Sequence, residues 1–162
     1  MYFRYDEYCW YFYPLISSDK LFLGTEEDDF IIDGYSIRRY ADITKAEIKY
    51  DKYNEILKSE GTVDSIQIPE VDISTWETAF ITLQKMNKNI IVEKESLDDS
   101  ECNFIIGRIE KVYKKFIYVR HFNGDGIWQE KPYKIPYTDI TSVSFKTRYV
   151  EVFSKYLNEL PK

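Results

Sequence analysis

Residues 35–49, YSIRRYADITKAEIK, and residues 133–146, YKIPYTDITSVSFK, are the stretches on which the reading of this chain turns. Aligned with two one-residue gaps, Tyr35, Ile37, Tyr40, Asp42, Ile43, Thr44, Ala46, Ile48 and Lys49 match Tyr133, Ile135, Tyr137, Asp139, Ile140, Thr141, Val143, Phe145 and Lys146 in order and type. The match continues from Tyr53, Glu55, Ile56 and Leu57 to Tyr149, Glu151, Val152 and Phe153. A strand, an Asp-Ile-Thr turn, a strand and a helix start that recur in one chain read as two copies of one supersecondary unit. The expectation is a mainly β, α+β protein: two related small β-barrels or curled antiparallel sheets, each followed by a helix. Residues 1–61 are assigned to the first module, 62–88 to a linker and connecting helix, and 89–162 to the second module.

Outward from the repeats, the first thirteen residues are aromatic at most steps (Tyr2, Phe3, Tyr5, Tyr8, Trp10, Tyr11, Phe12, Tyr13) and read as one or two strands. Leu21 to Leu23 and Phe30 to Ile32 flank a polar stretch that reads as a hairpin tipped by Glu26, Glu27, Asp28 and Asp29. Asp33-Gly34 supplies the next turn, because Gly accepts positive φ without a steric cost. Asp42 and Asp139 are expected to cap their turns, a reading that explains both without bringing them together. Tyr53, Ile56 and Leu57 have helical spacing and stop at Gly61. Ser74 followed by Glu77 is a capping-box pattern ahead of a helical face of Trp76, Phe80, Leu83 and Met86. Strands are predicted at 89–92, 104–109, 116–122, 132–137 and 141–146, with a turn at Asn123-Gly124-Asp125-Gly126. Tyr149, Val152, Phe153, Tyr156, Leu157 and Leu160 form the apolar side of a closing helix.

Composition bounds the class. With 44% hydrophobic and 17% aromatic residues the chain can fill a core, which excludes a disordered chain. Fifteen Tyr and ten Phe favour strands. No internal apolar run reaches the ~20 residues of a membrane helix. Asp6 and Glu7 stand where a secretory leader needs positive charge, so the expected location is the cytoplasm. Cys9 and Cys102, in no CxxC pair, fit a reducing compartment, with a Cys9–Cys102 disulfide as the disfavoured alternative. Residues 1–102 hold 11 Lys and Arg against 22 Asp and Glu, whereas 103–162 hold 11 against 6. Two electrostatic faces, or attraction between the halves, follow from that split.

The order helix, five short strands, helix in the second module resembles the Sm-like small β-barrel, the fold of the bacterial RNA chaperone of the Sm family. The residues that carry the likeness are Gly107-Arg108-Ile109-Glu110, Phe116 to Val119 and Tyr137 to Val143. It spans about residues 75–146 and, more loosely, 15–50. An SH3-like barrel would share this pattern. Where the chaperone has Tyr-Lys-His this chain has Tyr137-Thr138-Asp139, so the RNA contacts of that family are not carried over.

No catalytic constellation stands out. His121 is the single histidine and lacks a nucleophile elbow near it. Cys9, Cys102 and His121 are scattered, and neither Asp98, Asp99 and Glu101 nor residues 26–29 have the spacing of a calcium loop. The glycines form no phosphate cradle. The expectation is a non-enzymatic intracellular protein, with no cofactor or metal, that recognises another protein through an aromatic and acidic surface. Its candidate contacts are Trp128, Tyr35, Glu26, Glu27, Asp28 and Asp29. The alternative is RNA binding by the second module, with Lys114, Lys115 and Arg120 on phosphates beside Tyr113, Phe116 and Tyr118. Homo-oligomerisation, as in Sm-like proteins, is left open.

Overall fold

The computed structural model describes residues 1–159; Leu160, expected in the last helix, lies outside the described residues. The chain is mostly β. Strands β1 (Tyr2–Phe3), β2 (Tyr11–Ser17), β3 (Leu21–Asp28), β4 (Ile31–Arg39) and β5 (Ile43–Lys45) precede helix α1 (Lys52–Ser59). Helix α2 (Trp76–Lys85) leads into β6 (Asn89–Lys94), β7 (Asn103–Val112), β8 (Phe116–His121), β9 (Tyr133–Pro136) and β10 (Ser142–Phe145), and helix α3 (Arg148–Ser154) follows.

Eight strands form one antiparallel sheet in the order β2-β3-β4-β10-β6-β7-β8-β9, while β1 pairs with β5 apart from it. β10 is the hinge of this order. Val143 lies opposite Ile37 of β4 on one side and Val92 of β6 on the other, so the stretches expected as separate modules share one ladder. Neither half closes into a barrel of its own: the sheet is open, with β2 and β9 at its edges.

Both faces of the sheet are covered, which explains the unbroken apolar run of β6. Ile90 and Val92 enter a core with Leu23, Ile37, Val143 and Phe145, roofed by Ala79, Phe80 and Leu83 of α2. Ile91 enters a second cluster with Ile106, Phe122 and Val150, sealed by Phe153 and Leu157 of the α3 region. The expected linker contributes too, since Val71 and Ile73 are buried in the main core.

Three local expectations are corrected. β3 and β4 run further than the hairpin reading allowed, so the tip shrinks to Asp29 and Phe30, both at positive φ. Asp33-Gly34 does not turn the chain but lies within β4. Gly34 is required there for another reason: its φ is +60°, and a Cβ would stand 2.5 Å from the backbone nitrogen of Thr147. Third, α2 is capped one residue later, by Thr75 in a reciprocal box with Thr78, while Ser74 bonds Asp72.

The two Asp-containing turns are built alike as one-turn 3₁₀ helices, Tyr40–Asp42 and Tyr137–Asp139, in which the N–H of Ile43 or Ile140 bonds the tyrosine carbonyl. Neither carboxylate caps the turn backbone. Asp42 is buried and accepts from Arg39 Nε, with Arg4 Nε 3.5 Å away; exposed Asp139 meets, among the described residues, only the hydroxyl of Thr138.

Candidate functional site

Strand alternation decides where the acidic run goes. Glu26 and Glu27 are consecutive in β3, so their side chains leave the sheet on opposite faces. Glu26 joins a buried polar cluster beneath the N-terminal aromatics: its Oε1 is 3.7 Å from Arg38, which also bonds both oxygens of Glu95 at 3.0 and 3.1 Å. The Arg38 guanidinium lies over the ring of Phe3, 4.5 Å from its centroid. Glu93, on the same face, accepts from Ser142 at 2.8 Å. Burial pushes the carboxyls of both Glu26 and Glu93 above their ordinary range, outweighing the Arg38 charge.

Glu27 faces the other way, into a cleft of about 850 Å³. Its walls are residues 10–14, the β3 tip, residues 46–49 and the start of α1. Tyr11 is directly opposite Glu27 in the ladder and Tyr13 opposite Thr25, so both tyrosines lie on the Glu27 face. Glu27 is 6% exposed; its Oε1 accepts from the Tyr53 hydroxyl at 2.7 Å and from the Phe30 N–H at 2.8 Å. The Phe30 and Tyr53 rings are 4.4 Å apart, which fixes α1 against the hairpin tip. The hydrogen bond to Glu27 raises the Tyr53 phenol, and burial followed by the Glu27 charge raises that of Tyr13.

The lining is acidic as well as aromatic. Asp28, Asp29, Glu47 and Asp51 join Glu27, against Lys49 as the one Lys or Arg among the described lining residues. Asp51 is lowered by its bonds to Asn54, whose N–H it caps, and Glu47 by the Lys45 ammonium 2.7 Å away. Both are therefore ionised at neutral pH. Ile48, 79% exposed, adds an apolar side chain to the lining, and Tyr50 next to it along the chain is 90% exposed. Such an aromatic, acidic concavity suits a cationic partner: ring faces and carboxylates both attract positive charge.

Of the acidic run, the fold brings Glu27, Asp28 and Asp29 to this cleft and takes Glu26 away from it. Tyr35 is elsewhere, stacked on Phe145 at 5.2 Å with its hydroxyl bonded to the Gln67 carbonyl. Trp128 is half-buried against Phe122, and its indole N–H donates to the Asn158 carbonyl at 3.0 Å. Sequence reasoning did not single out Trp10, Tyr11, Tyr13, Glu47, Asp51 or Tyr53 as site residues. The density of aromatics before Pro14 was the available signal.

On the basic side, Lys114 and Lys115 are exposed at the β7–β8 turn, beside stacked Tyr113 and Phe116 rings 4.7 Å apart. Tyr118 completes the aromatic group and Lys134 sits 4.2 Å over Phe116. Arg120 is occupied, paired with Glu110 at 2.8 Å and bonded to the Glu130 carbonyl. His121 is half-buried; burial lowers its pKa, and Nδ1 has no partner among the described residues. Cys9 and Cys102 are free thiols. Among the described residues no His, Cys, Asp or Glu group of three or more is arranged to hold a metal, and no helix is long and apolar enough to cross a membrane. No protein-family model, curated protein or solved structure matches the chain.

Proposed function

We propose that this chain is a non-enzymatic intracellular binding protein that recognises another protein through its aromatic and acidic surface, and that the cleft over Glu27 is that surface. One observation carries the reading: Trp10, Tyr11, Tyr13 and Tyr53 meet Glu27, Asp28, Asp29, Glu47 and Asp51 in one concavity large enough for several side chains. Aromatic residues dominate recognition surfaces because they bury much area for little lost conformational freedom. The net negative lining selects for a basic partner and against acidic ones. The cytoplasm, where thiols stay reduced, suits the two free cysteines. We infer further that the two halves descend from one duplicated unit; the equivalent 3₁₀ turns support this.

The test is selection of a displayed random-peptide library on the protein. Recovered peptides are expected to be rich in Lys and Arg and to lose binding to an Asp28→Lys, Asp29→Lys variant. Recovery of acidic peptides, or selection unchanged by the variant, contradicts the reading.

A second reading has its own observation. Tyr113, Phe116 and Tyr118 with Lys114, Lys115 and Lys134 form a small stacking surface of the kind that holds single-stranded RNA. Arg120 does not serve it, being spent on Glu110. Retention of RNA that disappears with Lys114→Glu and Lys115→Glu would favour this alternative.

A further inference from the structure

Of the carboxylates drawn into the fold, Glu27 and Glu93 have no Lys or Arg within 4.0 Å among the described residues, and of these two only Glu27 lines the large acidic cleft. Asp42 has Arg39 and Arg4, and Glu26 has Arg38. Oε1 takes both of its protein hydrogen bonds, so Oε2 has no protein donor among the described residues. A carboxylate has two acceptor oxygens, and one without a protein donor is open to a donor from outside. Here the unpaired oxygen belongs to a side chain that lines an open cleft, and Tyr11, directly across the ladder, offers a ring beside it.

We propose that Glu27 is the receptor for a single Lys or Arg side chain of the partner protein, inserted as the anchor of a basic segment. The inference rests on the protein-recognition reading above and names the contact on which it turns. Glu27 Oε2 accepts from the incoming ammonium or guanidinium while Tyr11 and Tyr13 flank its aliphatic stem. The rim acids Asp28, Asp29, Glu47 and Asp51 draw the basic segment in, and act at longer range through solvent. A protein segment is favoured over a free organic cation because the cleft far exceeds one side chain in volume and Ile48 offers apolar surface for flanking residues. At an interface a few desolvated and well-walled contacts commonly carry most of the binding energy.

The test is a titration, followed by amide chemical shifts, with three blocked pentapeptides that place Arg, Lys or citrulline between alanines. Citrulline keeps the shape of Arg and lacks its charge. Arg and Lys peptides are expected to bind at least about tenfold more tightly than the citrulline peptide, a difference of about 1.4 kcal/mol. Glu27→Gln keeps an acceptor for Tyr53 and Phe30 and is expected to abolish that preference, while Asp28→Asn with Asp29→Asn preserves it. Should the Gln variant fold poorly, salt decides on the natural protein. At about 1 M salt, where the Debye length is about 3 Å, a preference set by the buried pair survives and one set by the rim disappears. No preference for the cation, or a preference that Glu27→Gln leaves intact, overturns the anchor. Agmatine binding as tightly as the Arg peptide overturns the choice of a protein segment as occupant. If library-selected peptides bind Glu27→Gln as they bind the natural protein, the anchor fails and the protein-recognition reading stands; if no basic peptides are selected at all, that reading fails.

Discussion

Asp42 and Glu27 are both carboxylates of the first half, 3% and 6% exposed, and the fold surrounds them in opposite ways. Asp42 is enclosed by Arg39 and Arg4 at the end of its turn, and Tyr5, whose hydroxyl accepts from Arg39, has its phenol pushed up to about 12, chiefly by burial. Glu27 has a tyrosine hydroxyl and a backbone N–H on one oxygen and an opening in front of the other. A carboxylate neutralised from within holds the chain together. One left without a cation beside an opening can accept a donor from outside.

Removing carboxylates one at a time sharpens this contrast. The largest effect is expected for Asp42→Ala, which strands Arg39 and Arg4; because Arg4 is more than half exposed, the loss is about 2 kcal/mol in urea unfolding, below that of a fully buried pair. Its counterpart Asp139→Ala, at the exposed turn, is expected to stay within about 0.5 kcal/mol. Equal losses at both turns would contradict the difference between the two carboxylates.

A smaller effect with a distinct pH dependence is expected at Glu93. Its folded pKa is raised by burial, so the folded state binds the proton more tightly than the unfolded chain does. The stabilisation from that proton is complete below the ordinary value of 4.5 and is lost as pH rises through the folded pKa. Glu93→Gln, which can still accept from Ser142, is therefore expected to melt higher than the natural protein at neutral pH and to lose the advantage below pH 4.5. A gain that grows on acidification would contradict this. Glu27→Gln is expected to change stability by no more than about 0.5 kcal/mol, because acceptors for Tyr53 and Phe30 remain.

Much of the secondary structure could be read from the chain, and the reasons for the misses are physical. The strands of the second half and the two Asp-Ile-Thr turns follow from local alternation and turn chemistry, which act over a few residues. The insertion of β10 between β4 and β6 does not: it depends on Val143 matching Ile37 and Val92 at long range, and two matching repeats suggest two closed units when read locally. Gly34 reads as a turn from its neighbour Asp33, yet its freedom is used where β4 passes the start of α3. Aromatics at turns read as exposed, but Trp128 finds an indole acceptor in Asn158 once the C-terminal segment folds across it. Glu26 and Glu27 look alike in the chain and part company only when β3 takes its register. The cleft itself could not be read, since Tyr53 meets Glu27 across 26 residues.

Whether partner recognition takes place over Glu27, as proposed, is read from the amide chemical-shift footprint of a library-selected peptide on the isotope-labelled protein. Shifts are expected to be confined to residues 9–14, 27–29 and 46–54. A footprint on Lys114, Lys115 and Lys134, or one spread evenly over the sheet, would contradict recognition there.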